Sequence, residues 1–112
     1  MRECLSCHFI LADEIPICPK CGADVGRQSD GSTRVVDLGH RGMTVDEAVR
    51  QLRQILADSP RHDHQHLLVI TGRGRIRDAV DAVLGIARRD NIIVSYTRQA
   101  HNPGAFAVRI KP

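Results

Sequence analysis

Aromatic residues are nearly missing from this chain of 112 residues: there is no tryptophan, one tyrosine (Tyr96) and two phenylalanines (Phe9 and Phe106). The scarcity argues against the base-stacking platforms that hold single strands without sequence preference, and it requires an aliphatic core. No apolar run approaches the roughly 20 residues of a membrane-spanning helix. The first ten residues, MRECLSCHFI, are too polar and too rich in cysteine for a signal peptide. No membrane partner is expected, and the expected location is cytoplasmic. Cysteine is missing after position 21: all four lie at Cys4, Cys7, Cys18 and Cys21. In a reducing compartment such clustering argues for a metal ion rather than disulfides.

Charge is divided unevenly. Residues 1–33 carry three basic and five acidic side chains, net −2, and residues 34–112 carry thirteen basic and eight acidic, net +5. The basic balance of the second part favours a polyanionic partner.

Residues 4–22 read CLSCHFILADEIPICPKCG, two C-x2-C pairs separated by ten residues. Two such knuckles bring four thiolates to the corners of one tetrahedron, the arrangement that structural Zn2+ prefers. Gly22 suits the tight turn after Cys21, and the apolar residues between the pairs can form two short strands. His8, next to Cys7, would be a redundant fifth ligand and is read as a surface residue. No thioredoxin-like pattern surrounds either pair, so a redox dithiol is the weaker reading. Residues 1–24 therefore resemble a zinc ribbon, with too little core to fold without its metal. Residues 25–33, rich in Gly, Ser and Asp, read as a flexible linker.

Residues 34–112 read as an α/β domain. RVVDL is a short strand. MTVDEAVRQLRQILADS is a helix opened by a Thr44/Glu47 capping box, with Val45, Ala48, Val49, Leu52, Ile55 and Leu56 on one stripe. HLLVIT is a buried strand, and RIRDAVDAVLGIARRD a second helix with Ile76, Val80, Val83, Leu84 and Ala87 facing inward. Gly85 weakens that helix unless something packs closely against it. NIIVSY is a third strand, TRQAHNPG a turn-rich loop, and AFAVRI an alternating last strand. The order β-α-β-α-β-β predicts a four-stranded mixed sheet with two helices. Two crossovers would give parallel neighbours, and a closing hairpin would add an antiparallel strand. The pattern leaves open whether the helices cover one face or both.

Ligands of open α/β sheets gather where parallel strands end. Two glycine-bearing exits fall there: Asp37-Leu38-Gly39-His40-Arg41-Gly42 and Thr71-Gly72-Arg73-Gly74-Arg75, the latter continued by Ile76 and Arg77. Each precedes a helix N-terminus, where unpaired N–H groups favour an anion, and guanidinium forks match phosphate. The corner is read as a seat for a nucleic-acid phosphate, formed by Arg41, Thr71, Gly72, Arg73, Gly74, Arg75 and Arg77. A plain strand-to-helix turn with solvated arginines is the competing reading. The glycines match neither a dinucleotide fingerprint nor a P-loop.

VVDLGHRGMTVDEAVRQLRQIL, LLVITGRGRIRDAV and YTRQAHNPGAFAVRI resemble the Smr domain, the small MutS-related module, over residues 34–111. The resemblance rests on Asp37-Leu38, Thr44 to Ala48, Thr71 to Gly74, Ala100 and Gly104-Ala105. It implies the same fold, nucleic-acid binding and, in many members, cleavage of DNA or RNA. Two departures fall at the corner. The family's Asp-Leu-His-Gly is here Asp37-Leu38-Gly39-His40-Arg41-Gly42, and the loop after Gly74 is shortened.

Two functions follow as expectations. One is a metal-independent endonuclease acting on RNA or structured DNA, with His40 as base or acid and Asp37 orienting it or acting as base. The other is a non-catalytic nucleic-acid or ribosome-binding module in which the acidic zinc ribbon docks another protein. His62, His64 and His66 alternate at the entry to a strand and read as a polar loop rather than a metal site.

Overall fold

The computed structural model describes residues 1–39 and 42–112. His40 and Arg41, both expected at the corner, lie outside the described residues.

The N-terminal piece holds two short antiparallel strands, β1 (Arg2–Glu3) and β2 (Ile10–Leu11), paired Arg2 to Leu11 and Glu3 to Ile10. Its small core is Cys4, Leu11, Cys18 and Val25, each at most 3% exposed. The cysteine-bearing knuckles thus supply part of the interior, as expected of a piece too small to bury an ordinary core.

The main domain runs β3 (Thr33–Asp37), α1 (Val45–Asp58), β4 (His66–Ile70), α2 (Arg75–Arg89), β5 (Ser95–Arg98) and β6 (Ala105–Arg109). The capping box forms in part, since the Thr44 hydroxyl accepts from the Glu47 N–H at 3.2 Å. Ala48, Leu52, Ile55 and Leu56 of α1 and Val80, Leu84 and Ala87 of α2 are buried. The helices pack against each other, so both lie on one face of the sheet. They cover Val36, Leu67, Val69, Phe106 and Val108, the residues that alternate inward along three strands. The opposite face carries Val35, which is 60% exposed, with Leu68 and Ala107 in register beside it.

The four-stranded mixed sheet is ordered β3-β4-β6-β5. One detail differs from the simple succession of crossovers. Only β3 and β4 are parallel neighbours; β6 inserts between β4 and β5, antiparallel to both. Burial explains the order. β6 has Ala105, Phe106 and Val108 essentially inaccessible and takes a central place, whereas β5 (SYTR) is mostly exposed and takes the edge.

The third strand also begins later than its apolar run. Asn91 at φ 60° reverses the chain after α2, and Ile92 N–H reaches back to the Ala87 carbonyl at 2.8 Å. Ile93 is then consumed as a buried seal on the helix end, and strand pairing settles at Ser95. Gly85 has a local reason: a Cβ there would lie 3.3 Å from the Tyr96 hydroxyl, which donates to Asp81 Oδ1 at 3.0 Å.

The N-terminal piece meets the main domain where β3 and β4 begin. Arg2, 9% exposed, donates to the Pro60 carbonyl at 2.6 Å and to Asp63 at 2.5 Å. Gln28 donates to Asp63 Oδ1 at 2.8 Å and to the Glu3 carbonyl at 2.9 Å, and accepts from Leu5 N–H at 3.0 Å. Lys111, 3% exposed, donates to the Gln28 carbonyl at 2.8 Å and also to that of His62. Burial, with the Arg2 charge adding to it, holds the Lys111 pKa below its usual range. The segment read as a linker therefore carries a buried Val25 and, at Gln28, one centre of these contacts. The molecule measures 47 × 25 × 23 Å, and the junction lies at the end of the sheet opposite the strand exits.

Candidate functional site

Two centres can be built from the residues upward. The first is the cysteine cluster. The four Sγ atoms of Cys4, Cys7, Cys18 and Cys21 lie within 4.8 Å of one another, with Cys4–Cys21 and Cys7–Cys18 both at 3.6 Å. Tetrahedral Zn–S bonds of about 2.3 Å require sulfur separations of roughly 3.8 Å, so the cluster is of a size to hold one metal ion. The knuckles are built alike. His8 N–H bonds the Cys4 carbonyl at 2.7 Å and Gly22 N–H the Cys18 carbonyl at 2.9 Å, and both residues have positive φ (67° and 78°). The Cys7 and Ser6 amides point at the Cys4 sulfur, the Cys7 amide most effectively, and hold its pKa below the ordinary thiol value. His8 occupies the left-handed position that glycine fills in the other knuckle. Its ring lies 2.5 Å from Glu3 Oε1 and is exposed.

The second centre is the corner at the strand exits. Leu38 N–H continues the parallel ladder to the Ile70 carbonyl at 2.7 Å. Gly39 follows at φ 94°, where a Cβ would stand 3.1 Å from the Thr71 carbonyl oxygen and 3.2 Å from Ile76 Cδ1. The exits of β3 and β4 are thus side by side, with no room for a side chain between them. A third loop joins them. Thr71 and Gly72 N–H groups converge on the Gly104 carbonyl at 2.6 and 3.1 Å, and the buried Thr71 hydroxyl donates to the same oxygen at 3.1 Å. A Cβ on Gly104 would come 3.0 Å from Gly72 Cα. Asn102 Oδ1 accepts from Gly104 N–H at 3.1 Å and holds the loop tip.

These contacts leave α2 with an open N-terminus. Its N-cap is Gly74, which offers no capping side chain, and the first backbone bond of the helix, Asp78 to Gly74, is long at 3.4 Å. The N–H groups of Arg75, Ile76 and Arg77 have no partner among the described residues. Such amides, together with the helix dipole, make a seat for an anion. Arg73 and Arg75 are exposed beside it. Arg77 is half-buried; its Nε has no hydrogen bond among the described residues and is approached by Asp78 at 3.7 Å. Asp37, an exposed residue, ends β3 in register with Ile70.

Among the sequence-derived residues, the structure brings together Asp37, Thr71, Gly72, Arg73, Gly74, Arg75 and Arg77. Gly104 and Asn102 belong to the same corner, and sequence reasoning did not assign them to it. The Asn-Pro-Gly turn was visible, but only the fold shows that it folds back onto Gly72. The three alternating histidines do not form a metal cluster: His64 is hydrogen-bonded to Ser32 Oγ at 2.9 Å, and the group of metal-ligating side chains found among the described residues is the four cysteines.

The fold and these two centres define the class: an α/β domain with a glycine-built corner at its strand exits, joined to a ribbon whose four cysteines can bind a metal ion. The Smr domain family model matches residues 36–111, and the chain belongs to that family. Neither the curated proteins nor the solved structures compared with the chain give a match. No helix among the described residues is long and apolar enough to cross a membrane.

Proposed function

We propose that this protein binds nucleic acid, seating a backbone phosphate on the open N-terminus of α2 between Arg73 and Arg75, with structural Zn2+ in the ribbon. The observation that carries the reading is the helix start itself: successive amides without a partner among the described residues, a glycine cap and two exposed guanidiniums at one corner. Membership of the Smr family supports it. In this reading Thr71 acts through position rather than contact, because its hydroxyl is already committed to Gly104.

Cleavage is the second reading, favoured by the Asp37 carboxylate at the mouth of the same corner. Asp37 with His40 would move the protons of phosphodiester cleavage while the arginines stabilise the charge on phosphorus. RNA with its 2′-hydroxyl supplies an internal nucleophile for such a metal-independent endonuclease, and structured DNA would need water. The ribbon would then serve as a protein- or ribosome-docking element at the far end.

The test is equilibrium binding of labelled RNA and DNA across a salt series, with cleavage followed in the presence of a chelator that leaves the ribbon loaded. Arg73→Ala and Arg75→Ala should each weaken binding and reduce the salt slope by about one counterion. Cleavage lost in His40→Ala or Asp37→Asn with binding retained would establish the enzyme. Absence of binding to either polymer at low salt would refute the reading.

A further inference from the structure

Far from the corner, the C-terminal halves of α1 and α2 frame a groove of about 1040 Å³. Its walls come from three parts of the chain: the helices, the loop 91–94, and residues 26–27 together with the C-terminal residues 110–112. Ile86, Ile92 and Val94 line it and are each about half exposed (46%, 50% and 46%). None of the three is needed by the core. Ile86 lies off the inward stripe of α2, and Ile92 and Val94 flank the buried Ile93. Three large aliphatics gathered around one concavity are a docking feature rather than scattered surface carbon.

Charge decides what would dock. The groove is lined by Arg27, Arg53 and Lys111, and by no aspartate or glutamate. Lys111 is committed to two carbonyls, but the Arg27 and Arg53 guanidiniums have no hydrogen-bond or ion-pair partner among the described residues. Both helices end here, and each contributes roughly half a negative charge. Asp58 and Asp90 add to it at the helix ends; Arg89 is paired with Asp90 at 3.3 Å, and Arg88 offsets part of what remains. On the groove's own rim, Arg27 and Arg53 are the cationic side chains without a partner among the described residues, and they give its lining a local positive character.

We propose that this groove docks an acidic amphipathic segment of a protein partner, its apolar side on Ile86, Ile92 and Val94 and its carboxylates on Arg27 and Arg53. The site is independent of the phosphate corner, so both can be occupied at once. One wall, the turn containing Arg27, is held in place by the Lys111–Gln28 bond.

The probe is a helical peptide of leucine, alanine and glutamate, compared with the same peptide carrying lysine for glutamate. Both are titrated into the full metal-loaded chain with methyl-resolved NMR as the readout. The proposal expects saturable shifts at Ile86, Ile92 and Val94 with the acidic peptide, and affinity reduced by about tenfold in Arg27→Glu/Arg53→Glu. Ile86→Asp should abolish the shifts, and unchanged signals from β3 and β6 in that variant show that the fold is intact. Equal binding of the lysine peptide, or no shifts with either, overturns it. So do shifts at the same methyls that grow with protein concentration alone, which would assign the groove to a second copy and its acidic Asp13–Glu14 segment. Shifts there on adding RNA would assign it to nucleic acid and overturn it equally.

Discussion

At the scale of single residues, the corner is set by atoms that are missing. Gly39 and Gly104 each lie against backbone, and backbone cannot step aside as a side chain can. Gly104→Ala would press a methyl onto Gly72 Cα at 3.0 Å. Overpacking of this kind costs about 1–3 kcal/mol, and thermal unfolding should show it as a lower midpoint accompanied by weaker RNA binding. Thr71→Val tests the neighbouring polar contact. It keeps the shape, removes the donor to Gly104, and should cost about 1–2 kcal/mol in denaturant titration because the site is buried. An unchanged midpoint in both variants would mean that the three loops are not locked together. Gly39 and the Asn-Pro-Gly tip were plain in the sequence as turn formers. Their mutual approach was not, because residues 39, 72 and 104 meet only through the sheet.

At the scale of elements, α2 is built with a deficient start and a well-made end. Gly74 caps nothing, while Asp90 N–H and the left-handed Asn91 close the C-terminus in order. A start left open at a cost in stability is what an anion seat requires. Gly74→Asp separates the two demands, since Gly74 has φ −134° and free space around its missing Cβ. The introduced carboxylate should cap the helix and stabilise it by a few tenths of a kcal/mol, roughly 0.3. It should also weaken nucleic-acid binding by at least about tenfold, because it occupies and repels the phosphate position. A variant that is more stable and binds equally well would remove the helix start from the site. The helices were legible from their caps and apolar stripes, down to the Thr44 N-cap. The late start of β5 was not, because Ile92 and Ile93 satisfy strand propensity locally, yet their N–H groups turn back to the Ala87 carbonyl and Ile93 is buried against the end of α2.

At the scale of the whole molecule, the cysteine cluster and the sheet meet through the seam. Arg2 and Gln28 reach Asp63, and Arg2 lies two residues from the first metal ligand. The chain should bind one Zn2+ per molecule, measured by metal analysis after dialysis. Its removal should unfold the ribbon. Hydrogen exchange should then rise in residues 1–28 and also near Asp63 and Gln65, while the centres of α1 and β4 stay protected. Protection unchanged near Asp63 would show that the seam does not depend on the metal. The same geometry places the ribbon and the strand-exit corner at opposite ends of a 47 Å body, so one face cannot serve both.

The sequence by itself determined the four-cysteine cluster, the two helices, the family and the arginine-loaded exits, since each is written in local spacing: C-x2-C pairs, a 3.6-residue apolar period, glycine next to a strand end. Only the tertiary structure decided that β6 enters the middle of the sheet, that Gly104 completes the corner and that Gln28 belongs to a seam. Those outcomes depend on which buried surfaces win the centre and which residues distant in the chain share a contact, and neither quantity is carried by any short stretch of residues.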